Sequence, residues 1–489
     1  MTSDVSIDPP GRHRLIAELT TIGIDHLAPS QVRSLIHVYG PEIRQRACLL
    51  EQARACTLFR AKIRNSKIVF CVPISAGRAK MKLLAISLVL TFSSLLVHAG
   101  ETVLYSFKGS PDGYAPVGGL ISDQSGNLFG VTSEGGANGL GTVFELSPNG
   151  TGGWNETVLY NFTGGADGQY PGAALIWDSQ GNLYGTTGGG GYGCAPKCGS
   201  VFELSPGSNG WTITVLHTFT GGRDGGTVGG GVVMDSAGNL YGTTAAFGPK
   251  GSGTVFRLSS SGGAWTLTTL HAFELGVDGE DPEGLLVLGS DGAIYGTTAY
   301  GGTPIRNQAF GVFYKISQNA KGKWIEKVLY SFKGAGDGGN PPFGLVADQQ
   351  GNLYGVSTGL PRLRGCVFQF TSQSTNKWKK KNIYAFPFPK YHDPDIPYGP
   401  LSFDQSGNAY GVTYGGGSAG AGAVYKLAPR NGTPWPETTL YNFEGGTDGR
   451  RPEGKLLRDG SGNLYGVTEE GPGTGCGGQG CGTVFEITP

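Results

Sequence analysis

One eight-residue motif recurs along the chain at a nearly constant spacing, and it constrains the fold more than any other feature. Successive copies begin 54 to 59 residues apart. The seven copies are DQSGNLFG from Asp123, DSQGNLYG from Asp178, DSAGNLYG from Asp235, GSDGAIYG from Gly289, DQQGNLYG from Asp348, DQSGNAYG from Asp404 and DGSGNLYG from Asp459. A period of this length is typical of a repeat architecture in which each copy is one supersecondary unit.

Each unit contains four short stretches with the composition of β-strands. In the first unit these stretches are 119–121, 128–132, 141–146 and 156–162. β-branched and aromatic residues fill them, while Gly, Asn, Asp and Ser fill the gaps. Four strands in each repeated unit predict an all-β protein, and more narrowly a β-propeller with four-stranded blades.

The two ends of the repeat region complement each other. The sequence stops after the third strand of the last unit (483–487), and a matching fourth strand occurs at 101–107 as ETVLYSF. We therefore expect a seven-bladed β-propeller over 100–489, closed by strand 101–107 in the last blade, because closure removes exposed sheet edges. The expected repeats are 114–163, 169–219, 226–273, 280–332, 339–386, 396–443 and 450–489 plus 101–107.

The first 99 residues are of a different character, since only 4 of the 88 glycines precede residue 100. Basic residues, the apolar run 83–97 and the small-residue site ending at Ala99 predict a signal peptide over 81–99, cleaved after Ala99. On this interpretation translation starts at Met81, and 1–80 is a basic leader outside the mature protein. The alternative keeps 1–80 as a basic helical segment in the cytoplasm, with 83–97 as a membrane anchor.

Either interpretation places the repeat region outside the cytoplasm, and the expected location is secreted, periplasmic or at the cell surface. No membrane span is expected in the mature chain, because the apolar run is shorter than the roughly 20 residues that a span needs. Residues 100–489 hold 24 basic and 31 acidic side chains. This net negative charge argues against a nucleic-acid partner.

The repeated elements D-x-x-G-N-L-Y-G-x-T, G-T-V-F-E-L and T-V-L-Y-x-F resemble the GloVer-type tandem repeats of secreted bacterial choice-of-anchor proteins. The resemblance covers about 100–489. It implies export and often a surface anchor, and it implies no established reaction.

Strand alternation sorts the loops of such a propeller onto two faces. The D-x-x-G-N turns are nearly identical and share one face. The loops between second and third strands and the connections between blades vary, so we expect ligands on that second face, here called the variable face. Candidate stacking side chains there are Tyr114, Tyr170, Tyr192, Tyr300, Tyr391, Tyr398 and Tyr414, and the unusual segment 386–400 adds His392, Asp393 and Asp395.

Two loops on the variable face carry closely spaced cysteines, Cys194/Cys198 and Cys476/Cys481. In an exported protein these pairs predict local disulfides rather than a zinc site, and Cys366 is left as a partly buried free thiol. The blade connections repeat an Asp-Gly pair at Asp112, Asp167, Asp224, Asp278, Asp337 and Asp448. We interpret these aspartates as turn formers, with a Ca²⁺ site as the alternative.

Three functions fit these observations. The favoured one is a non-catalytic exported propeller that binds a glycan or a protein on the variable face, and the first alternative is a rigid envelope or extracellular scaffold. The second alternative is a polysaccharide lyase or glycoside hydrolase, which needs paired carboxylates. Candidates for such a pair are Glu280, Asp281, Glu283, Asp393, Asp395, Glu453, Glu469 and Glu470. The sequence assigns no catalytic residue, no metal and no cofactor other than the Ca²⁺ alternative.

Overall fold

The computed structural model describes residues 3–7, 15–23, 56–63, 66–73 and 100–489, apart from 190–197, 277, 306–307, 361–362, 375, 387–395 and 474. The chain divides into two compact units, Met1–Val97 and His98–Pro489. Within the described residues, regular structure is almost entirely β, and no helix is long and apolar enough to cross a membrane.

The N-terminal unit contains one antiparallel sheet in the order β1-β2-β3-β4. Its strands are β1 (Ser3–Ile7), β2 (Leu15–Gly23), β3 (Cys56–Ile63) and β4 (Ser66–Pro73). The helical alternative for this segment is therefore wrong where the structure describes it. The expected signal peptide lies outside the described residues and stays a prediction.

The strands of the second unit follow the repeats, beginning with β5 (Gly100–Ser106). The first repeat gives β6 (Tyr114–Ser122), β7 (Leu128–Glu134), β8 (Thr142–Pro148) and β9 (Trp154–Asn161). The second gives β10 (Gln169–Pro171), β11 (Ile176–Trp177), β12 (Leu183–Gly189), β13 (Ser200–Gly207) and β14 (Gly210–Thr218), which form a five-stranded sheet.

The third to sixth repeats each form a separate four-stranded sheet. The third has β15 (Val233–Met234), β16 (Leu240–Thr244), β17 (Gly251–Ser261) and β18 (Ala264–Glu274), and the fourth has β19 (Val287–Leu288), β20 (Ile294–Thr297), β21 (Val312–Gln318) and β22 (Trp324–Ser331). The fifth has β23 (Val346–Ala347), β24 (Leu353–Leu360), β25 (Leu363–Ser374) and β26 (Lys377–Ala385), and the sixth has β27 (Ser402–Phe403), β28 (Ala409–Thr413), β29 (Ala423–Leu427) and β30 (Glu437–Asn442). A 3₁₀ turn, Ala335–Asp337, precedes the fifth repeat.

The seventh repeat contributes β31 (Arg450–Arg458), β32 (Leu464–Glu470), a short helical turn at Gly475–Gly478 and β33 (Thr483–Thr488). The predicted pairing of the ends is confirmed: β5 lies antiparallel to β33, with Tyr105 opposite Val484. These strands and those of the first repeat belong to one eight-stranded sheet, ordered β5-β33-β32-β31-β6-β7-β8-β9. The two halves meet at a single parallel bridge between Lys455 and Gly119.

The fold is thus a propeller arrangement of small sheets, but seven separate four-stranded blades are not present. The described residues contain five separate four-stranded sheets, one of them in the N-terminal unit. The difference has a local cause at Gly119, which has a φ of +102°. A Cβ there would lie 2.4 Å from the Lys455 carbonyl oxygen, so only a glycine lets the two backbones approach closely enough to merge their sheets.

The repeated motif folds as a turn held by its aspartate. Asp123 Oδ1 accepts hydrogen bonds from the N–H groups of Ser125 (2.8 Å) and Asn127 (2.9 Å), and Oδ2 accepts one from Asn127 Nδ2 (2.8 Å). The same bonds recur at Asp178, Asp235, Asp348, Asp404 and Asp459. Asp and Gly are favoured here because Asp side chains bond nearby backbone N–H groups and Gly adopts positive φ.

The glycine after the motif's aromatic residue makes room for the core. A Cβ on Gly242 would lie 2.6 Å from Cζ of Phe256, and Phe256 is fully buried. Rings also pack across the boundary between repeats. Phe273, in the fourth strand of the third repeat, contacts Tyr314 of the fourth repeat, with ring centroids 5.1 Å apart. Each repeat therefore stacks large rings over a glycine, and these rings fill the space between neighbouring sheets.

The Asp-Gly connections have a structural role. Asp112 Oδ2 accepts a hydrogen bond from the Tyr105 hydroxyl at 2.8 Å, and Asp224 lies 3.2 Å from Nε2 of His217. The equivalent partners are Tyr160, His271, Tyr330 and Tyr441. No group of three or more His, Cys, Asp or Glu that could hold a metal ion occurs among the described residues. The aspartates thus tie the fourth strand of one repeat to the start of the next.

Candidate functional site

The structure describes only some of the predicted binding residues. Tyr192, Tyr391, His392, Asp393 and Asp395 lie outside the described residues, and so does Cys194. The structure describes five of the candidate tyrosines, and two of the five come together in a ring contact, Tyr398 and Tyr414. The other three are Tyr114, Tyr170 and Tyr300.

Tyr398 and Tyr414 form an aromatic pair at the start of the sixth repeat. Their ring centroids are 5.0 Å apart with an interplanar angle of 37°. A short antiparallel pairing positions them, because Tyr398 N–H donates to the Val412 carbonyl (3.0 Å) and Tyr414 N–H donates to the Ile396 carbonyl (2.8 Å). Phe343 of the fifth repeat contacts Tyr398 edge to face at 4.5 Å. The pair therefore sits at a junction between repeats.

The seventh repeat adds charged groups to this pair. The Tyr414 hydroxyl donates to Glu469 Oε2 at 2.8 Å. The Arg451 guanidinium lies 5.2 Å from the Tyr414 ring centroid, which is cation–π distance, and 3.8 Å from Glu469. Arg451 also forms a salt bridge with the buried carboxylate of Glu470. We call Tyr398, Tyr414, Arg451, Glu469 and Glu470 the junction cluster.

Sequence reasoning missed Arg451, although a backbone regularity marks its position. Arg451 has a φ of +58°, which is uncommon for a residue other than Gly. The residues at the same place in other repeats share this conformation and precede Pro or Val: Ala115, Tyr170, Thr227, Asp281 and Asn340. One backbone shape thus presents a different side chain in each repeat, as expected of a variable face.

Tyr300 lies apart from the junction cluster. Its side chain is 47% exposed, and its backbone pairs with Glu280 in the fourth repeat. Tyr170, in the second repeat, is 42% exposed. No ring contact joins either one to Tyr398 or Tyr414 within the part of the chain that the structure describes.

Three carboxyl groups of the fourth and seventh repeats carry raised pKa values, and two of them, Glu453 and Glu283, act on Tyr398. Burial raises the pKa of Glu453 to about 8, and the charge of Glu469 adds to this. Burial also raises the pKa of Glu283 and of Asp281, which share a hydrogen bond. The pKa of Tyr398 rises to about 12, mainly through burial and then through the charges of Glu453, Glu469 and Glu283. Burial thus shifts each of these acids toward its neutral form, in which a carboxyl group both donates and accepts hydrogen bonds.

A cavity of about 330 Å³ adjoins the junction cluster on the seventh repeat. Arg450 lines it and joins it to the cluster, since Arg450 Nε lies 2.5 Å from Glu470 Oε2. The loop bridged by the Cys476–Cys481 disulfide supplies one wall through Gly478 and Gln479. This confirms the predicted pairing of these two cysteines and shows that the bridge shapes the rim of a cavity.

The remaining cysteines of the repeat region also have defined states. Cys198 is buried and disulfide-bonded. Cys366 is a free thiol, as predicted, and it is more deeply buried than expected. Burial raises the pKa of this thiol to about 11, which favours the thiol over the nucleophilic thiolate.

Fold and site together define a β-propeller repeat protein with a polar aromatic cluster at a junction between repeats. The Gloeobacter/Verrucomicrobia repeat matches this chain three times, at 91–264, 191–360 and 342–489. The chain belongs to this repeat family, and the resemblance inferred from the motifs is confirmed.

Solved structures with a similar fold include proteins of different kinds. Periplasmic gluconolactonase from Pseudomonas aeruginosa is 13% identical with a TM-score of 0.44, over 76% of this chain and 98% of that chain. A polysaccharide lyase, an ulvan lyase, is 10% identical with a TM-score of 0.42, over 75% and 90%. A Dyadobacter fermentans protein of unknown function is 11% identical with a TM-score of 0.40, over 80% and 100%. Comparison with curated protein sequences gives no match.

Proposed function

We propose that this chain is an exported, non-catalytic propeller that binds a glycan at the junction cluster on its variable face. The observation that carries this proposal is the Tyr398–Tyr414 pair, held against Arg451 and Glu469 beside a cavity of about 330 Å³. Tyrosine faces offer apolar area for sugar C–H groups, and the neighbouring charged groups hydrogen-bond hydroxyls.

The polar groups of the cluster are positioned before any ligand arrives. Tyr414 is fixed by Glu469, and Glu469 and Glu470 are paired with arginines. Such preorganisation lowers the entropic cost of binding. The same pairing argues against Glu469 and Glu470 as the acid and base of the enzyme alternative, because both carboxylates are committed to Arg450 and Arg451.

The proposal includes a closed ring of seven repeats. Close backbone approaches between successive repeats support it, and they include an approach of the seventh to the first. A Cβ on Gly118 would lie 2.5 Å from Ala173 of the second repeat, and one on Gly454 would lie 2.5 Å from Gly118. On this view the eight-stranded sheet is two blades joined by the Lys455–Gly119 bridge. A ring places the junction cluster and the exposed Tyr170 and Tyr300 around one face.

Export is part of the same proposal, with cleavage after Ala99. The disulfides at Cys198 and at Cys476–Cys481 support it, because disulfides persist in oxidising compartments. Intact mass measurement of protein recovered from outside the cytoplasm tests this point, and we expect a mature chain beginning at Gly100. A mature chain that retains residues 1–80 would contradict it.

A glycan array followed by calorimetry tests the binding proposal. We expect the parent protein to bind at least one glycan class, and Tyr414→Ala to weaken binding by tenfold or more through loss of the stacking face and of the bond to Glu469. Tyr300→Ala is the matched control, because it removes an exposed tyrosine of the same face outside the cluster, and we expect it to retain binding. Silence across the array would favour the scaffold alternative, and equal losses in both variants would remove the junction cluster from the site.

A further inference from the structure

A second cavity opens on the opposite face, between the fifth and sixth repeats. Its volume is about 520 Å³, which lies within the range of roughly 300–1,000 Å³ typical of small-molecule sites. Two consecutive copies of the repeated turn line it, one around Asp348 and the other around Asp404. This is the face on which the sequence predicts only uniform, structural turns.

The turns use some of their polar groups and leave others free. The Asp348 carboxylate accepts hydrogen bonds from the N–H groups of Gln350 and Asn352 (both 2.9 Å), from Asn352 Nδ2 (2.8 Å) and from the Tyr354 hydroxyl (3.0 Å). The side chains of Gln349, Gln350 and Gln405 line the cavity, are exposed and make no hydrogen bond within the described residues. Three amides, each able to donate and accept, therefore converge on one cavity.

Aromatic rings line the same cavity. Tyr354 contacts Phe403 at 4.8 Å and Trp435 at 6.2 Å between ring centroids. Trp435 is only 6% exposed, yet its Nε1 has no hydrogen-bond partner in the described part of the chain. A buried indole N–H without an acceptor costs free energy. Nε of Arg458, another lining residue, is buried and unpartnered in the same way.

The charged side chains that line the cavity limit the class of ligand that it can bind. Arg458 is the single cationic side chain that lines the cavity, and the carboxylates of Asp348 and Asp404 are satisfied by their own turns. Free amides, aromatic faces and little net charge suit a neutral polyhydroxylated ligand better than a phosphate or an acidic sugar. We propose that this cavity binds a neutral saccharide of one or two hexose units, independently of the junction cluster.

The Tyr414→Ala variant, in which the junction cluster is impaired, provides the background for the test. Neutral gluco-, manno- and galacto-configured disaccharides, and the corresponding uronates, are titrated calorimetrically into this variant. We expect a neutral disaccharide to bind and Gln349→Ala/Gln405→Ala to weaken it by tenfold or more, since two amides are lost. Gln124→Ala is the matched control, because Gln124 is exposed at the same turn position in the first repeat, away from this cavity.

A fluorescence measurement gives a second readout that does not depend on the glutamines. We expect the bound disaccharide to shift the tryptophan emission of the parent protein and this shift to disappear in Trp435→Phe. The proposal is overturned if no neutral disaccharide binds, if uronates bind more tightly, or if the double glutamine variant binds as well as Gln124→Ala. The proposal would also be overturned if the single substitution Tyr414→Ala abolished the binding of every saccharide. In that case the proposed function would survive, because it assigns glycan binding to the junction cluster.

Discussion

Three of the four glutamates that share one place in the fourth strand of their repeats should make the fold less stable as pH rises. Each is partly buried, and each has one buried carboxyl oxygen without a hydrogen-bond partner among the described residues: Glu101, Glu156 and Glu326. Burial raises the pKa of each to about 7, and the negative charge of the nearby connection aspartate adds to this: Asp448, Asp112 and Asp278, respectively.

The fifth repeat carries the natural counterpart of this arrangement. Lys380 occupies the same position as these glutamates and forms an ion pair with the connection aspartate Asp337, at 3.3 Å. Lys380 also lies 5.3 Å from the ring centroids of Phe332 and Phe368. One repeat thus places opposite charges where three others place two carboxyl groups together.

The sign and size of the effect follow from the pKa values. The folded state holds these protons more tightly than the unfolded state, so the stability contribution is complete below the ordinary pKa of 4.5 and is lost as pH rises to about 7. A full shift corresponds to roughly 3 kcal/mol per residue. Because the side chains are partly exposed, we reduce this to about 1 kcal/mol each, or about 3 kcal/mol for the three together.

The perturbation is the triple variant Glu101→Gln/Glu156→Gln/Glu326→Gln, which cannot ionise at these positions. We expect it to match the parent at pH 4.5 and to exceed the parent's free energy of unfolding at pH 8 by about 3 kcal/mol. Urea denaturation at both pH values measures this, with a substitution at an exposed glutamate, Glu444→Gln, as the control. A triple variant that keeps the parent's pH dependence, or that is less stable than the parent at pH 8, would refute the reasoning.

Two further predictions concern the architecture. Gly242→Ala should lower the free energy of unfolding by about 2–3 kcal/mol, because its Cβ would lie 2.6 Å from Phe256, and pairing it with Phe256→Leu should recover part of the loss in the same urea titration. Deleting 100–106 should expose the edge of β33 and cause concentration-dependent association, measured by light scattering; a monodisperse deletion variant would show that this edge is protected in another way.

Local patterns in the sequence predicted the strands, the turns and the pairing of β5 with β33, because the same letters recur in each copy. They also named Tyr398 and Tyr414 as candidates for the variable face. The patterns did not predict that these residues meet Arg451 and Glu469, since such contacts cross between repeats and depend on how neighbouring sheets pack. The merging of two sheets at Gly119 escaped for the same reason.

The cavity beside Trp435 shows a second limit of reading repeats. Nearly identical turns predict an unremarkable face, and the aspartates there do have purely structural partners. The candidate ligand-binding groups are the side chains that vary within the motif, because glutamines occur in the two adjacent turns that line the cavity. The residues that recur in the copies of the motif fix the backbone of the turn. The remaining positions can therefore carry different side chains.

The pairing of β5 with β33 affects how the chain folds during its synthesis. Their partners are separated by almost the whole repeat region, as with Tyr105 and Val484. At a synthesis rate of about 5–20 residues per second, β5 waits on the order of half a minute before its partner strand exists. During that interval β5 is an unpaired strand on the nascent chain and can pair with the wrong strand. We therefore expect chaperones to bind the nascent chain until the last repeat has been synthesised.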